Sequence, residues 1–405
     1  MTVTTDSDAA RPLAGMRVVS MAEQYPGPYA TMIMSDLGAE VVIVERPGTG
    51  DPARQFPPFF AALNRGKRSV AIDMKTSEGV AALRRLVANA DIFLEGFRPG
   101  TADRLGIGWE ELRAVNDALV YVSISGFGQD GPYRLRPAHD LSYQAAAGLL
   151  GEVETPWRLT DPLATADLSS GLFAVIGCLS ALRHRDSTGQ GSYIDVAMMD
   201  SLIALMATNL HPAANGIERV WIEDEPGYGI YATLDGHISL SLSYEDWFWD
   251  STCATLELPE LVSLTAEQRR ADSAAIRARL QERLLTNSND HWARLFAETD
   301  VPFAVVATVD DVVADPQVAA RGMITAADGA GARYVRQPLT INGRGSGPLT
   351  GVPQVGGDSV SVLAEAGLDQ AEIGRLLDAG VVAVGDSATD AQVDEGSQQY
   401  IKGQG

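Results

Sequence analysis

The residues best suited to chemistry gather between Pro137 and Gly171, in PAHDLSYQAAAGLLGEVETPWRLTDPLATADLSSG. His139 and Asp140 stand side by side just before an apolar helical run, Leu141 to Leu150, and Asp167 stands at the mouth of a second, Leu168 to Leu182. A helix start leaves backbone N–H groups unpaired and carries partial positive charge, so a carboxylate there is held as the anion. Asp167 also reads as a plain N-cap, because Leu168-Ser169-Ser170-Gly171 opens the periodic run of Leu172, Val175, Ile176 and Leu179. His139 has an equally bland reading, as an ordinary helix-start residue. Cys178 and Cys253 lie in apolar runs and read as buried spectators rather than nucleophiles. His184, His211, His237 and His291 have neither metal-ligand spacing nor Cys partners, so no metal site is expected. No G-x-S-x-G elbow occurs, which argues against an α/β-hydrolase.

Cations concentrate in a short part of the chain. Lys67 and Lys75 flank the strand-like Ser69 to Ile72, and Lys402 is the third lysine. Arg46, Arg65, Arg68, Arg98, Arg104 and Arg136 fall in the same region, mostly in loops and at strand ends rather than on one helical stripe. Such a set offers partners for a phosphate-bearing ligand, against the alternative of a solvated face. Phe97, between Gly96 and Arg98, could stack on a purine ring.

These side chains need a scaffold, and from Met16 to about Leu210 the sequence alternates short β-branched runs with amphipathic ones. Strands are expected at Arg17–Met21, Glu40–Val44, Ser69–Ile72, Asp91–Leu94 and Leu119–Ile124, with helices at Pro28–Leu37, Ser77–Ala88 and Trp109–Val115. Continuous apolar strands between helices imply a mostly parallel sheet covered on both faces, with ligands beyond the strands' carboxyl ends. Three loops in those places combine glycine with charged or aromatic residues: Glu45 to Asp51, Glu95 to Gly100, and Ser125 to Pro132. The third spells G-x-G-x-x-G after a strand, yet Pro132, Arg134 and Pro137 follow where a dinucleotide-binding helix would start.

Beyond Asn215 the composition shifts. Ile230 to Leu242 reads as a hairpin about Asp235-Gly236, and Trp247 to about Phe296 as a helical block, together a smaller α+β domain. The expected organisation is a large domain over 12–212, a small domain over 226–310, a return to the large domain over 311–385, and disordered tails at 1–11 and 387–405.

Composition narrows the partners. With 405 residues, 45% of them hydrophobic, the chain can bury two cores. A formal charge of −22 opposes nucleic acid or anionic membrane as a general partner. The N-terminal MTVTTDSDAAR lacks the features of a signal peptide, no apolar run reaches spanning length, and two cysteines make no disulfide framework; the expectation is a soluble cytoplasmic protein.

Several segments, in order, resemble one family. They are Gly27-Pro28-Tyr29-Ala30 with Asp36-Leu37-Gly38-Ala39-Glu40-Val41-Val42, Glu45-Arg46-Pro47-Gly48, Asn64-Arg65-Gly66-Lys67-Arg68-Ser69, Phe97-Arg98-Pro99-Gly100, Ser125-Gly126-Phe127-Gly128-Gln129, and Thr188-Gly189-Gln190-Gly191 with Ile194-Asp195-Val196-Ala197-Met198. Together they are similar to the family III CoA-transferases, the CaiB/BaiF group, whose superfamily includes the 2-methylacyl-CoA racemases. The resemblance runs from about Leu13 to Val382.

It implies a Rossmann-like large domain with a mostly parallel sheet, a smaller α+β domain, and an interlocked homodimer in which each chain threads its partner. It also implies acyl-CoA as ligand, a carboxylic acid acceptor, and no cofactor beyond coenzyme A as co-substrate. Carried over position by position, Arg46, Ile72, Lys75, Gly96, Phe97, Arg98 and Arg104 match coenzyme A contacts, and Arg136 lies close to another. In the transferases the aspartate matched by Asp167 attacks the thioester and then carries CoA. In the racemases a histidine matched by His139 and a glutamate matched by Glu245 join it in proton transfer at the α-carbon. This sequence mixes the marks: His139 and Glu245 resemble the racemases, whereas Gln144 and Gly48-Thr49-Gly50-Asp51 with Arg54 resemble the transferases. The glycine-rich loop of several transferases is not seen near Ser241 to Asp246. The expected activity is CoA transfer, with racemisation as the alternative and a non-catalytic acyl-CoA-binding protein as a third reading.

Overall fold

The computed structural model describes residues 11–152, 163–218, 222–326, 331–345 and 350–385. Apart from Arg11, the two tails expected to be disordered, and Lys402 with them, lie outside the described residues. In chain order the first elements are β1 (Arg17–Ser20), α1 (Pro26–Asp36), β2 (Glu40–Glu45), α2 (Pro57–Asn64), β3 (Arg68–Ile72), α3 (Ser77–Val87) and β4 (Ile92–Glu95). Next come α4 (Thr101–Arg104), α5 (Trp109–Arg113), β5 (Val120–Ser125), α6 (Asp140–Ala146), α7 (Thr165–Thr188), β6 (Ser192–Ala197) and α8 (Met198–Leu205). After α9 (Ala207–Asn215) follow β7 (Tyr228–Ala232), β8 (His237–Ser241), α10 (Asp246–Thr255), α11 (Ala266–Ala271), α12 (Ser273–Leu284), α13 (Asn289–Ala297), β9 (Phe303–Val305), α14 (Val309–Ala314) and α15 (Pro316–Ala320). The chain closes with β10 (Ile324–Ala326), β11 (Arg333–Val335), α16 (Ser359–Glu365), α17 (Gln370–Asp378) and β12 (Val382–Ala383).

The fold is mixed α/β around a seven-stranded sheet of order β12-β3-β2-β1-β4-β5-β6. Strands β1 to β6 run parallel, and β12 pairs antiparallel with β3 at one edge. Successive side chains of a strand point to opposite faces, which explains why both faces need apolar residues. Val18, Ile43, Leu94 and Val122 pack against α1 and α7 on one face, while Val19, Val42, Phe93 and Tyr121 pack against α3 and the closing helices on the other. The order 3-2-1-4-5-6 puts the reversal of strand order between the parallel neighbours β1 and β4, so the loops after those two strands part and leave a crevice.

Helix α7 lies along the first face, and its start is set by close approach to α1. A Cβ added at Gly171 would sit 2.9 Å from both the Pro26 carbonyl and the Tyr29 ring, so a side chain there would push the two helix starts apart. With 24 residues and an apolar composition, α7 has the length and hydropathy of a membrane span, contrary to the expectation from the interrupted run Leu168 to Leu182. Half of that span is buried, with Ala174, Val175, Cys178 and Leu182 in the core. Both cysteines are free and buried, and burial pushes each thiol up to about 12, which suits spectators.

The chain divides into two compact units, Met1–Ala207 with Gly322–Gly405, and Thr208–Arg321. In the second, the expected hairpin forms, Tyr228 pairing with Ser241 and Ala232 with His237, and β9 extends it to three antiparallel strands. Trp249, Leu280, Trp292 and Phe296 fill its core. Residues 311–321, expected with the large domain, group with this second unit, because β9 holds the chain to the small sheet as far as Val305 and α14 and α15 follow at once.

Within the first unit, one buried ion pair ties the return segment to the N-terminal part of the chain. The Arg65 guanidinium and Asp36 carboxylate are each 1% exposed and meet through two hydrogen bonds, one of 2.9 Å. Asp36 also accepts the Gln337 N–H at 3.0 Å, and Arg65 donates to the Val335 carbonyl at 2.8 Å. Removing one partner strands a buried charge, so Asp36→Ala should cost about 3–5 kcal/mol; urea unfolding of the variant against the parent chain measures it.

Candidate active site

A cleft of about 540 Å³ opens beyond the carboxyl ends of the sheet, at the β1/β4 crevice. Met21 to Pro26 line it after β1, Gly96 to Pro99 after β4, Ile124 to Gly126 at the end of β5, and Met198 after β6. The segment Arg136 to His139 with Ser142 and Tyr143 forms another wall, and Asp167 projects from the start of α7. The structure therefore brings Gly96, Phe97, Arg98, Arg136, His139 and Asp167 to one cavity.

Asp167 is not the cap of its helix. The N-cap position of α7 is Ala164, which makes Asp167 the third residue of the first turn. The cap comes from across the cleft wall: the Asp140 carboxylate accepts the N–H groups of Ala166 at 2.8 Å and Asp167 at 3.1 Å through one oxygen. Its other oxygen accepts the side-chain amide of Gln144, which is 1% exposed. Asp140 thus satisfies donors that a helix start leaves open, and frees the Asp167 carboxylate from capping. The Ala166 and Asp167 N–H groups, which a helix start would otherwise leave unpaired, are occupied in this way.

The Asp167 carboxylate meets no hydrogen-bond donor and no cation among the described residues. Burial, and secondarily the charge of Asp140, push its carboxyl up from an ordinary 3.8 to about 7. A carboxylate that holds its proton this tightly is correspondingly more basic and more nucleophilic once ionised. Tyr25 and Tyr143 stand close enough that burial first, and Asp167 next, raise their phenols. Tyr143 also donates to the Ala138 carbonyl at 3.1 Å and packs edge-on to Phe127, while Tyr25 packs edge-on to Phe59.

The expected cations divide sharply. Arg98 and Arg136 line the cleft, joined by Arg134, and Arg136 lies over the rings of Tyr133 and Phe127 at 5.4 and 6.0 Å. Arg46 instead grips the cleft residue Glu23 at 2.8 and 2.9 Å. Lys75 and Arg104 are exposed outside the cleft lining, the latter donating to Thr101 at 2.8 Å. Ile72, matched to a coenzyme A contact, is 1% exposed in the core, so its side chain is not available to a ligand. Three of the basic cluster are structural: Arg65 pairs with Asp36, Arg68 with Glu40 and Glu365, and the buried Lys67 donates to Asn64 and the Pro28 carbonyl. Arg54 likewise pairs with Glu45. Glu245 belongs to the second unit, at the N-cap position of α10, and makes no side-chain cap there.

Sequence reasoning missed Asp140 as a clamp, and with it Tyr25, Tyr143, Ser142 and Arg134. The adjacency of His139 and Asp140 was the available signal, but only the packing of α6 on α7 shows that the second of the pair reaches a neighbouring helix.

The family model for CoA-transferase family III matches residues 13–359. The chain belongs to CoA-transferase family III. It is 32% identical over 365 residues to the acetyl-CoA:oxalate CoA-transferase of Acetobacter aceti, covering 85% of this chain and 92% of that protein. To the human succinyl-CoA:glutarate CoA-transferase it is 30% identical over 413 residues, with 93% and 91% covered. A crystal structure of a CaiB/BaiF family protein from Brucella suis superposes with a TM-score of 0.78 at 33% identity, over 88% of this chain and all of that one. As a family III CoA-transferase the protein uses CoA thioesters as co-substrates.

The raised carboxyl of Asp167 has a stability consequence. Its folded value lies above the unfolded one, so the folded state binds the proton more tightly and stability falls as pH rises from about 4 to about 7. Asp167→Asn should therefore melt higher than the parent chain at pH 8, by about 2–3 kcal/mol, with the gap closing at pH 4. Thermal melts of both proteins across that range report it.

Proposed function

We propose that this protein moves coenzyme A from an acyl-CoA thioester to a free carboxylic acid, with Asp167 as the covalent nucleophile. The observation that carries the reading is a half-buried carboxylate, unpartnered among the described residues, in one cleft with Arg98, Arg134 and Arg136. An Asp167 oxygen attacks the thioester carbonyl, the C–S bond breaks, and CoA thiolate leaves an acyl-aspartyl anhydride. The thiolate then attacks the aspartyl carbonyl, releasing the donor acid and leaving an aspartyl-CoA thioester. The acceptor carboxylate reverses the two steps, so no proton or water is consumed. The arginines keep the thiolate's nucleotide end in place between the two attacks, when the reactive group would otherwise diffuse away. Relatives named for oxalate and glutarate support a small dicarboxylic acid as acceptor.

The non-catalytic reading required Asp167 to be salt-bridged away from any cavity, and its place in the cleft removes that support. Racemisation at the α-carbon keeps one specific support, since His139 lines the same cleft as Asp167. Incubation with acyl-CoA followed by hydroxylamine or borohydride should mark Asp167 in a transferase, as read by peptide mass spectrometry. Asp167→Ala should lower exchange by about 10³-fold or more, and His139→Ala should leave it within a few fold. Solvent deuterium entering the α-carbon without any acceptor acid, and no adduct at Asp167, would move the assignment to a racemase.

The same reading includes a homodimer. Leu172, Ile176 and Leu179 are 44%, 55% and 41% exposed on one stripe of α7, an apolar face that a second copy would cover. The interlocked arrangement implied by the resemblance extends this proposal.

A further inference from the structure

Glu95 is an odd residue for its place. It ends β4 after Ile92, Phe93 and Leu94, and is 3% exposed. No cation pairs with it among the described residues; the charged groups it faces are Asp103 and Asp195, both of its own sign. Tyr121 from β5 and Tyr193 from β6 stand beside it. An acid so placed adds nothing as an ion pair, and an apolar residue would serve the sheet better.

Its hydrogen bonds point to another role. One oxygen accepts the Phe97 N–H at 2.6 Å and the other accepts the Ser123 hydroxyl on β5. Ser123 in turn accepts the Tyr193 hydroxyl from β6 at 3.3 Å. Three adjacent strands therefore fix one carboxyl group, and that group fixes the first turn of the loop bearing Gly96, Phe97 and Arg98. The far end of the loop is held separately, by the Thr101 N–H on the Arg98 carbonyl at 3.0 Å.

We propose that Glu95 is the positioning residue of this loop: by accepting the Phe97 N–H it sets the Phe97 ring and the Arg98 guanidinium in the geometry that grips the nucleotide end of CoA. The inference rests on the CoA reading above. What the loop needs is an acceptor rather than a charge. Burial pushes the Glu95 carboxyl up to about 7, so the uncharged form already exists near neutrality. An amide oxygen can take its place, and alanine cannot.

The test is calorimetric titration of free CoA into the full-length protein, with steady-state kinetics and thermal melts of the same samples. Glu95→Ala should weaken CoA binding about tenfold, the worth of one well-placed buried acceptor, and raise the KM for acyl-CoA by a similar factor with kcat within about threefold. Glu95→Gln should restore both to within about threefold of the parent chain. Should Glu95→Ala fail to fold, Ser123→Ala leaves the Phe97 bond but loosens the carboxyl, and should weaken CoA binding about threefold. Unchanged CoA affinity in folded Glu95→Ala, or equal loss of kcat in the alanine and glutamine variants at constant affinity, overturns the proposal. A parent chain that binds no CoA at all overturns the CoA reading instead.

Discussion

A single carboxylate, that of Asp140, organises the wall of the cleft from which Asp167 projects. It caps the first turn of α7 from the neighbouring helix, accepting the N–H groups of Ala166 and Asp167, and is itself held by Gln144. Two consequences follow from that geometry. The backbone of residue 167 is pinned relative to the cleft, and its side chain, relieved of capping, is left facing the cavity. The charge of Asp140 adds to burial in keeping the Asp167 carboxyl protonated to near neutrality. Position and reactivity are thus set by the same group, and neither would survive a rotation of α6 against α7.

The cleft lies where sheet topology leaves room for it. Between β1 and β4 the chain leaves in opposite directions, so neither loop covers the gap, and each contributes a short segment to the walls. Cations serve this site unequally. Arginines held in buried or partly buried pairs, such as Arg65 with Asp36 and Arg54 with Glu45, have spent their hydrogen bonds on the scaffold. Arg98 and Arg136 line the cleft without a carboxylate partner among the described residues, and Arg136 is backed by aromatic rings. The acidic surplus of the chain as a whole makes that local excess of positive charge matter more for an anionic substrate.

Much of the large sheet was legible because parallel strands buried on both faces read as unbroken apolar runs. Arg17, Glu40, Ile92 and Val120 begin strands within a residue of where the pattern places them. Helix ends were less legible. Leu141 to Leu150 stops as an α-helix at Ala146, and α7 begins before Leu168, with its cap donated by a residue far away in sequence. The end of the small domain was set too early, at 310, whereas the second unit runs to Arg321, with α14 and α15 following β9 directly.

What the sequence by itself determined is the alternation of strands and helices, the two-part organisation and the family, since each rests on local period or on motifs that are contiguous in the chain. It also marked Asp167, His139, Phe97 and Arg98, because a charged or aromatic residue beside glycine at a strand or helix end stands out locally. Only the tertiary structure decided which arginines line the cleft and which are tied up in ion pairs, that Asp140 rather than Asp167 caps α7, and that Glu95 turns inward to hold a loop. Those outcomes depend on partners 2 to 301 residues apart meeting in space, and no local pattern encodes which of several like side chains will be satisfied by the fold and which will be left without a partner.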